Sequence, residues 1–237
     1  MIWVRSGVYF AAFMTWTVVA GFFCLPALLS QKWSMAVAKM WVRGIMFLAR
    51  TIAGIDCEVT GKSHLPDGAS IVAAQHQSSF ETYRLYLELD RPTFVLKREL
   101  LSIPIVGWFM KRVGMIGIDR SAGASSMRKM IRDSQAALDA GRQIIVFPEG
   151  TRAAPGEVIP YRPGIAALYA HCSEPVVPVA LNSGYFWGRS RVLKIPGVIQ
   201  VQFLPPLAEG MNKQEMLADL RARIDSAAAG MPTGPSH

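Results

Sequence analysis

The hydrophobic pattern of the chain changes character twice. From Gly7 to Leu29 there are 23 residues without a charge, enough for a helix to cross a bilayer core of about 30 Å. Pro26 predicts an interruption near the end of that helix. Residues 31–55 predict a second helix of a different kind. At about 100° per residue, Lys32, Lys39, Arg43 and Arg50 fall within roughly 40° of one another. Trp33, Val37, Trp41, Ile45, Leu48 and Ile52 occupy the remaining circumference. That arrangement predicts a helix lying deep in a membrane interface with its cations reaching headgroups, in preference to one packed on a globular domain. Two arrangements satisfy the pattern: a spanning first helix whose basic flank keeps the rest of the chain in the cytoplasm, or an in-plane hairpin entering one leaflet.

Beyond Asp56 short apolar runs alternate with helical patterns. Cys57–Thr60, Ser70–Gln75, Thr93–Lys97, Gly114–Arg120, Gln143–Phe147 and Val176–Leu181 read as strands, and Val192–Lys194 with Val198–Leu204 as a hairpin. Helices are predicted from Ser79 through Leu87, over Glu99–Val113 with a break at Pro104, and along the Met127–Leu138 stripe closed by Gly141. Pro163 suits the first turn of another. Asn212 with Glu215 forms a capping-box pattern before a final helix that turns Met216, Leu217, Leu220 and Ile224 inward. The tail Pro232–His237 has the composition of a disordered end. Strand–helix alternation with apolar strands predicts an α/β fold, a mixed sheet flanked by helices, preceded by an N-terminal membrane-associated two-helix module. The expected division is residues 1–55 for the membrane-anchoring helices and 56–237 for one globular domain.

Composition sharpens this picture. The chain is 51% hydrophobic and only 18% charged, with a mean hydropathy of +0.26. Residues 1–55 hold five basic and no acidic residues, while the remaining 182 hold 20 basic and 17 acidic. Much of the net charge of +8 therefore interrupts apolar sequence near the N-terminus. That favours membrane lipid, with anionic headgroups, over nucleic acid as the partner. Cys24, Cys57 and Cys172 are widely spaced and show no metal-ligand pattern.

Ligands gather at the carboxyl ends of strands in open α/β sheets, and four polar clusters follow strand-like runs: His76, Lys97, Asp119-Arg120 and Glu149-Gly150-Thr151-Arg152. His76 ends an apolar run, and Glu81 falls in the first turn of the helix after it, where a carboxylate can accept one ring N–H and leave the other nitrogen as a base. Taken alone, the pair also fits a surface histidine at a helix start, with Glu81 favouring the helix dipole. Arg120, Arg152 and Lys97 suit a phosphate, and Gly150 permits close backbone approach. An ion pair for Arg120 and a capping or core-satisfying role for Glu149 fit equally well. No Gly-x-Ser-x-Gly elbow, Walker loop or zinc spacing is present.

Four motifs occur in order: His76 with four intervening residues and Glu81; Gly117-Ile118-Asp119-Arg120; Phe147-Pro148-Glu149-Gly150-Thr151-Arg152; and Val177-Pro178-Val179. Over about residues 56–205 the chain thereby resembles the 1-acylglycerol-3-phosphate acyltransferases, the lysophosphatidic acid acyltransferase family, and its N-terminal helices resemble those of bacterial members. Two departures are Glu81, where the family usually has aspartate, and Gln75, where asparagine often precedes the histidine.

The resemblance implies that His76 and Glu81 are catalytic. His76 acts as general base on the free hydroxyl of lysophosphatidic acid, which attacks an acyl thioester (acyl-CoA or acyl carrier protein) directly to give phosphatidic acid. Lys97, Arg120, Glu149, Gly150, Thr151 and Arg152 are then the substrate-binding residues, and backbone N–H groups after His76 would face the oxyanion. No metal and no cofactor is implied. The expected location is the cell inner membrane with the catalytic domain on its cytoplasmic side. Another lysolipid acceptor, such as lyso-ornithine lipid or a lysophospholipid, or a non-catalytic lipid-binding role, are the competing readings.

Overall fold

The computed structural model describes residues 1–119, 121–189 and 192–234. Among these described residues seven strands form one sheet: β1 (Ile55–Thr60), β2 (Ser70–Ala74), β3 (Pro92–Lys97), β4 (Ile116–Ile118), β5 (Gln143–Val146), β6 (Val176–Leu181) and β7 (Gly197–Phe203). Their order is β1-β7-β6-β2-β5-β3-β4. All neighbouring pairs are parallel except β6 and β7. The carboxyl ends of β2, β5, β3 and β4 therefore share one edge of the sheet. This is why motifs far apart in sequence converge.

Among the described residues eight α-helices cover or connect the strands: α1 (Ile2–Phe23), α2 (Gln31–Leu48), α3 (Phe80–Glu88), α4 (Val106–Arg112), α5 (Gly123–Asp139), α6 (Pro163–His171), the short α7 (Ser183–Phe186) and α8 (Lys213–Ala229). Successive residues of a strand point to opposite faces, so the central strands need apolar residues at every position. Val72 and Ala74 join the core beneath α2 and α3, while Ile71 and Ala73 join the core shared with α5, α6 and α8. The continuous apolar runs read from the sequence have this double burial as their cause.

Most elements fall where the pattern predicts. The capping box holds: the Asn212 side chain accepts from the Gln214 and Glu215 backbone N–H groups, and Glu215 accepts from the Asn212 N–H. The hairpin expected from Val192–Lys194 and Val198–Leu204 is not present. β7 pairs antiparallel with β6, matching Val179 to Phe203 and Leu181 to Val201. The segment before it is tied to α1 instead, since Ser6 Oγ accepts from the Lys194 N–H at 3.0 Å. Of the tail, residues 235–237 lie outside the described residues.

The N-terminal helices also differ from expectation. α1 stops at Phe23, and a 3₁₀ segment (Leu25–Leu29) carries Pro26 in its first turn, where a missing N–H is harmless. By length and composition α1 is long and apolar enough to cross a membrane, and 17% of its most apolar window is buried. Yet Ser6, Tyr9 and Ala20 are buried, and Arg5 Nε donates to the Ile52 carbonyl at 3.0 Å. One side of the helix is thus held along the rest of the protein.

α2, expected to lie in lipid on its apolar sides, packs against α3, with Val42 and Ile45 in the same core as Val72 and Leu85. Trp33, Met40 and Phe47 remain exposed. Lys39 Nζ donates to the Asp90 carbonyl at 3.2 Å, and Arg50 pairs with Asp56 at 3.2 Å. The branched and small residues of α2 fit a packed neighbour, which hydropathy around a helix does not register.

α1 and α2 meet through tryptophans. Trp16 Nε1 donates to the Trp41 carbonyl at 2.9 Å, and Trp41 Nε1 donates to Thr17 Oγ1 at 3.2 Å. Gly44 makes room for this: a Cβ there would lie 2.4 Å from Cε2 and Nε1 of Trp16. Helix propensity alone gives alanine an advantage of about 1 kcal/mol over glycine. The clash reverses the sign, because overpacking costs about 1–3 kcal/mol. Gly44→Ala is expected to lower the thermal unfolding midpoint in detergent; a raised midpoint would mean that the Trp16 contact is slack.

Candidate active site

β2 ends in a buried strand, and the chain leaves it at Gln75 and His76. Gln75 is anchored twice, through its N–H to the Val179 carbonyl and through Oε1, which accepts from the Leu181 N–H at 3.1 Å. The imidazole of His76 lies flat on Phe147, the residue just after β5, with ring centroids 4.0 Å apart and planes at 14°. Its Nδ1 is 2.9 Å from Glu81 Oε1, with 16% of the histidine side chain and none of the glutamate exposed. With Nδ1 so engaged, Nε2 is the nitrogen available to a ligand.

Glu81 is the most heavily bonded side chain of the site. Oε1 also accepts from the backbone N–H groups of Gln77 at 2.7 Å and Ser78 at 2.6 Å. Oε2 accepts from the hydroxyls of Ser78 and Ser183, both at 2.7 Å. Burial by itself raises the Glu81 pKa. The hydrogen bond and charge of His76, with the two Ser78 donors, outweigh it and hold the carboxyl below its ordinary value. A charged, fixed carboxylate against Nδ1 fixes the orientation of the imidazole ring.

These bonds correct one expectation. The backbone N–H groups of Gln77 and Ser78 serve Glu81, and that of Phe80 donates to Ser78 Oγ at 2.9 Å. They are not free to face an oxyanion. Ser183, at the start of α7, was missed: it lies 102 residues from Glu81 in sequence and sits in no motif, so only the sheet topology brings it in.

His76 opens onto a cavity of about 1480 Å³ between the sheet edge and the N-terminal hairpin. Phe13 and Met14 from α1, Trp41 from α2, Tyr83 from α3, and Phe109 and Met110 from α4 are among its apolar walls. Lys97, Gly150 and Arg152 also line it, as does Arg162, a basic residue that motif reading overlooked. Lys97 pairs with Glu99 at 3.2 Å. Gly150 has φ 65°, and a Cβ there would lie 3.0 Å from Arg162 Cγ; the turn needs glycine on both counts. Thr151 is exposed and lines neither this cavity nor the smaller one described next. Arg120 lies outside the described residues. The loop as a whole is pinned to the histidine, because the Ala153 N–H donates to the His76 carbonyl at 2.7 Å.

Glu149 faces elsewhere. It lines a separate cavity of about 270 Å³ with Tyr161, Asn182 and Arg221. Its Oε2 has no hydrogen-bond partner among the described residues. Burial first, and then the charge of Glu81, raise its pKa from 4.5 to about 7 against the pull of its own and the His76 backbone N–H groups. Among the described residues no cluster of three or more His, Cys, Asp or Glu side chains is placed to hold a metal ion.

The raised carboxyl has a sign in stability. Between about pH 4.5 and 7 the folded chain holds this proton more tightly than the unfolded chain, so the contribution of Glu149 falls as pH rises through that window. Once ionised, it costs the fold on the order of 3 kcal/mol. Glu149→Gln is expected to raise the unfolding midpoint at pH 8 and leave it nearly unchanged at pH 5. An equal shift at both values would mean that Glu149 is not protonated in the fold.

The model of the family described as Acyltransferase matches residues 56–182. The 1-acyl-sn-glycerol-3-phosphate acyltransferase of Pseudomonas aeruginosa is 34% identical over 206 residues, covering 86% of this chain and 80% of that protein. The 1-acyl-sn-glycerol-3-phosphate acyltransferase alpha of Mus musculus is 31% identical, covering 81% of this chain and 68% of that protein. The crystal structure of the 1-acyl-sn-glycerophosphate acyltransferase PlsC from Thermotoga maritima has the same fold, with a TM-score of 0.78 at 20% identity and coverage of 98% and 99% of the two chains. With the motif order, the sheet and these likenesses together, the chain belongs to the acyltransferase family that includes the 1-acyl-sn-glycerol-3-phosphate acyltransferases.

Proposed function

We propose that this protein transfers a fatty acyl group from an acyl thioester, acyl-CoA or acyl carrier protein, to the sn-2 hydroxyl of 1-acylglycerol-3-phosphate, forming phosphatidic acid. The observation that carries this reading is the His76–Glu81 pair at the wall of the large apolar cavity. Nε2 of His76 takes the hydroxyl proton as the oxygen attacks the thioester carbonyl carbon. Collapse of the tetrahedral intermediate breaks the C–S bond, and the leaving thiolate takes the proton from the imidazolium. Glu81 stabilises that imidazolium and holds the ring against Phe147. Arg152, with Lys97 and Arg162 nearby and Arg120 from the adjoining motif, binds the acceptor phosphate, and the apolar walls take acyl chain. Glu149 faces the other cavity, and its part is to support the loop behind the histidine.

The same reading places the protein at the cell inner membrane with its catalytic domain on the cytoplasmic side. The holding of one side of α1 along the rest of the protein supports an α1–α2 hairpin that lies in one leaflet over a first helix that spans. Acceptor and product then need not leave lipid, which matters because each exposed methylene costs about 0.8 kcal/mol.

Purified protein in detergent, given a panel of lysolipids and both thioester donors with products identified by mass, tests the activity. Phosphatidic acid is the expected product; a product only from acceptors lacking the phosphomonoester would overturn it. Arg152→Ala is expected to raise the acceptor KM by about 10- to 100-fold, as for loss of a charged hydrogen bond, with little change in thioester KM. Equal damage to both KM values contradicts the phosphate role.

The catalytic pair is tested separately. Glu81→Gln keeps the shape and removes the charge, and kcat should fall by about 10²–10⁴-fold. His76→Ala should fall at least as far, and the double variant no further than His76→Ala, because the two residues act as a unit. A double variant slower by the product of the single losses would separate Glu81 from His76.

A further inference from the structure

C-terminal to α2, the large apolar residues of the described chain that stand exposed are Leu100, Ile103, Trp108, Val158 and Val198. Three of the five fall in one short segment, a 3₁₀ stretch (Arg98–Ser102) followed by α4. Leu100 is 39%, Ile103 42% and Trp108 47% exposed. The same segment carries exposed Arg98, Lys111 and Arg112, against the single acid Glu99. Exposed apolar groups rimmed by cations are the composition of a surface that meets anionic lipid.

The segment is also continuous with the hairpin. Arg112 donates to the Leu29 carbonyl at 2.8 Å, beside the turn between α1 and α2. Ile105 lies against α1 so closely that a Cβ on Gly21 would be 2.9 Å from its Cγ2. Met14, Val18 and Phe22 follow one another at four-residue spacing along α1, and all three are exposed. Gly21 borders that stripe. Ile105 itself has φ 62°, a costly conformation for a β-branched residue, adopted where the chain turns back against α1. Leu100, Ile103 and Ile105 line the large cavity from one side, and Met14 and Gly21 from the other.

We infer that residues 98–112 form a second membrane-contact surface, which seats in the same anionic leaflet as α1 and makes with it the lipid-facing rim of the cavity. This rests on the membrane reading of the hairpin given above. The cations hold headgroups while Leu100, Ile103 and Trp108 reach the acyl region, so a lysolipid meets the cavity from within the leaflet. An acidic protein docking on the same cations is the competing occupant, and it would leave Trp108 in water when only lipid is present.

The test uses the full chain with Cys24 and Cys57 replaced by serine and a bimane label on a cysteine introduced by Trp108→Cys or, separately, by Trp33→Cys on α2. Vesicles of phosphatidylcholine and phosphatidylglycerol with brominated acyl chains serve as quencher. Quenching at both positions is the expected result. Quenching at 33 without quenching at 108 overturns this inference and leaves the hairpin reading intact; quenching at neither overturns both. In an independent arm, Lys111→Glu is expected to weaken vesicle binding about tenfold, with turnover in detergent micelles unchanged. Unaltered vesicle binding counts against the surface.

Discussion

The Glu81 carboxylate is the point on which the geometry of the site depends. Wholly buried, it accepts hydrogen bonds from His76, from two backbone N–H groups and from two serine hydroxyls. A buried carboxylate without such partners would cost several kcal/mol and take up a proton. With them, it fixes the turn after β2, the start of α3, the imidazole ring and the start of α7 relative to one another. Removing any single donor leaves the others to hold the charge. The arrangement is therefore tolerant in parts and intolerant of losing the carboxylate itself.

The two buried glutamates near His76 show how environment divides a shared chemistry. Glu81 has donors on both oxygens and stays ionised, whereas Glu149 has an unpartnered Oε2 and is pushed up to about 7. The charge of the first is one cause of the shift in the second. Both carboxylates ionised at close range is the costly state, so a proton on Glu149 favours charge on Glu81. Groups whose environments drive their pKa values apart commonly mark a functional site, and here one of the two touches the histidine ring directly.

Much of the fold was legible because the central strands are buried on both faces: runs such as Ile71–Ala74 and Ile144–Val146 have no other economical explanation. His76, Glu81, Gly150 and Arg152 were legible for a second reason, that polar residues placed directly after such strands collect at one sheet edge. What escaped the sequence depended on long-range pairing. The partners of β7 are β1 and β6, both distant in sequence, and local spacing pointed instead to residues 192–194. Ser183 reaches the site only through the sheet order, and Arg162 through the fold of the long loop after β5, where its N–H donates to the Pro148 carbonyl. Glu149 belongs by sequence to the same loop as Arg152, yet it lines a different cavity. The packed side of α2 was hidden because Val42 and Ile45 are as apolar as residues that face lipid.

That last point changes the role of the hairpin. A membrane anchor joined by a linker leaves its catalytic domain unchanged when detached, but α1 and α2 here share a core with the sheet and supply walls of the cavity onto which His76 opens. Phe13, Met14 and Trp41 stand opposite residues of β3 and β5, so the apolar space exists only while helices and sheet are together. An acyl chain seated there remains in apolar surroundings from leaflet to histidine. With each methylene contributing about 0.8 kcal/mol, that continuity is energetically larger than any single polar contact available to the headgroup. On the proposed membrane reading the hairpin is part of the reaction chamber as well as a lipid contact, and that dual duty fits apolar residues spread around both helices and not confined to one stripe.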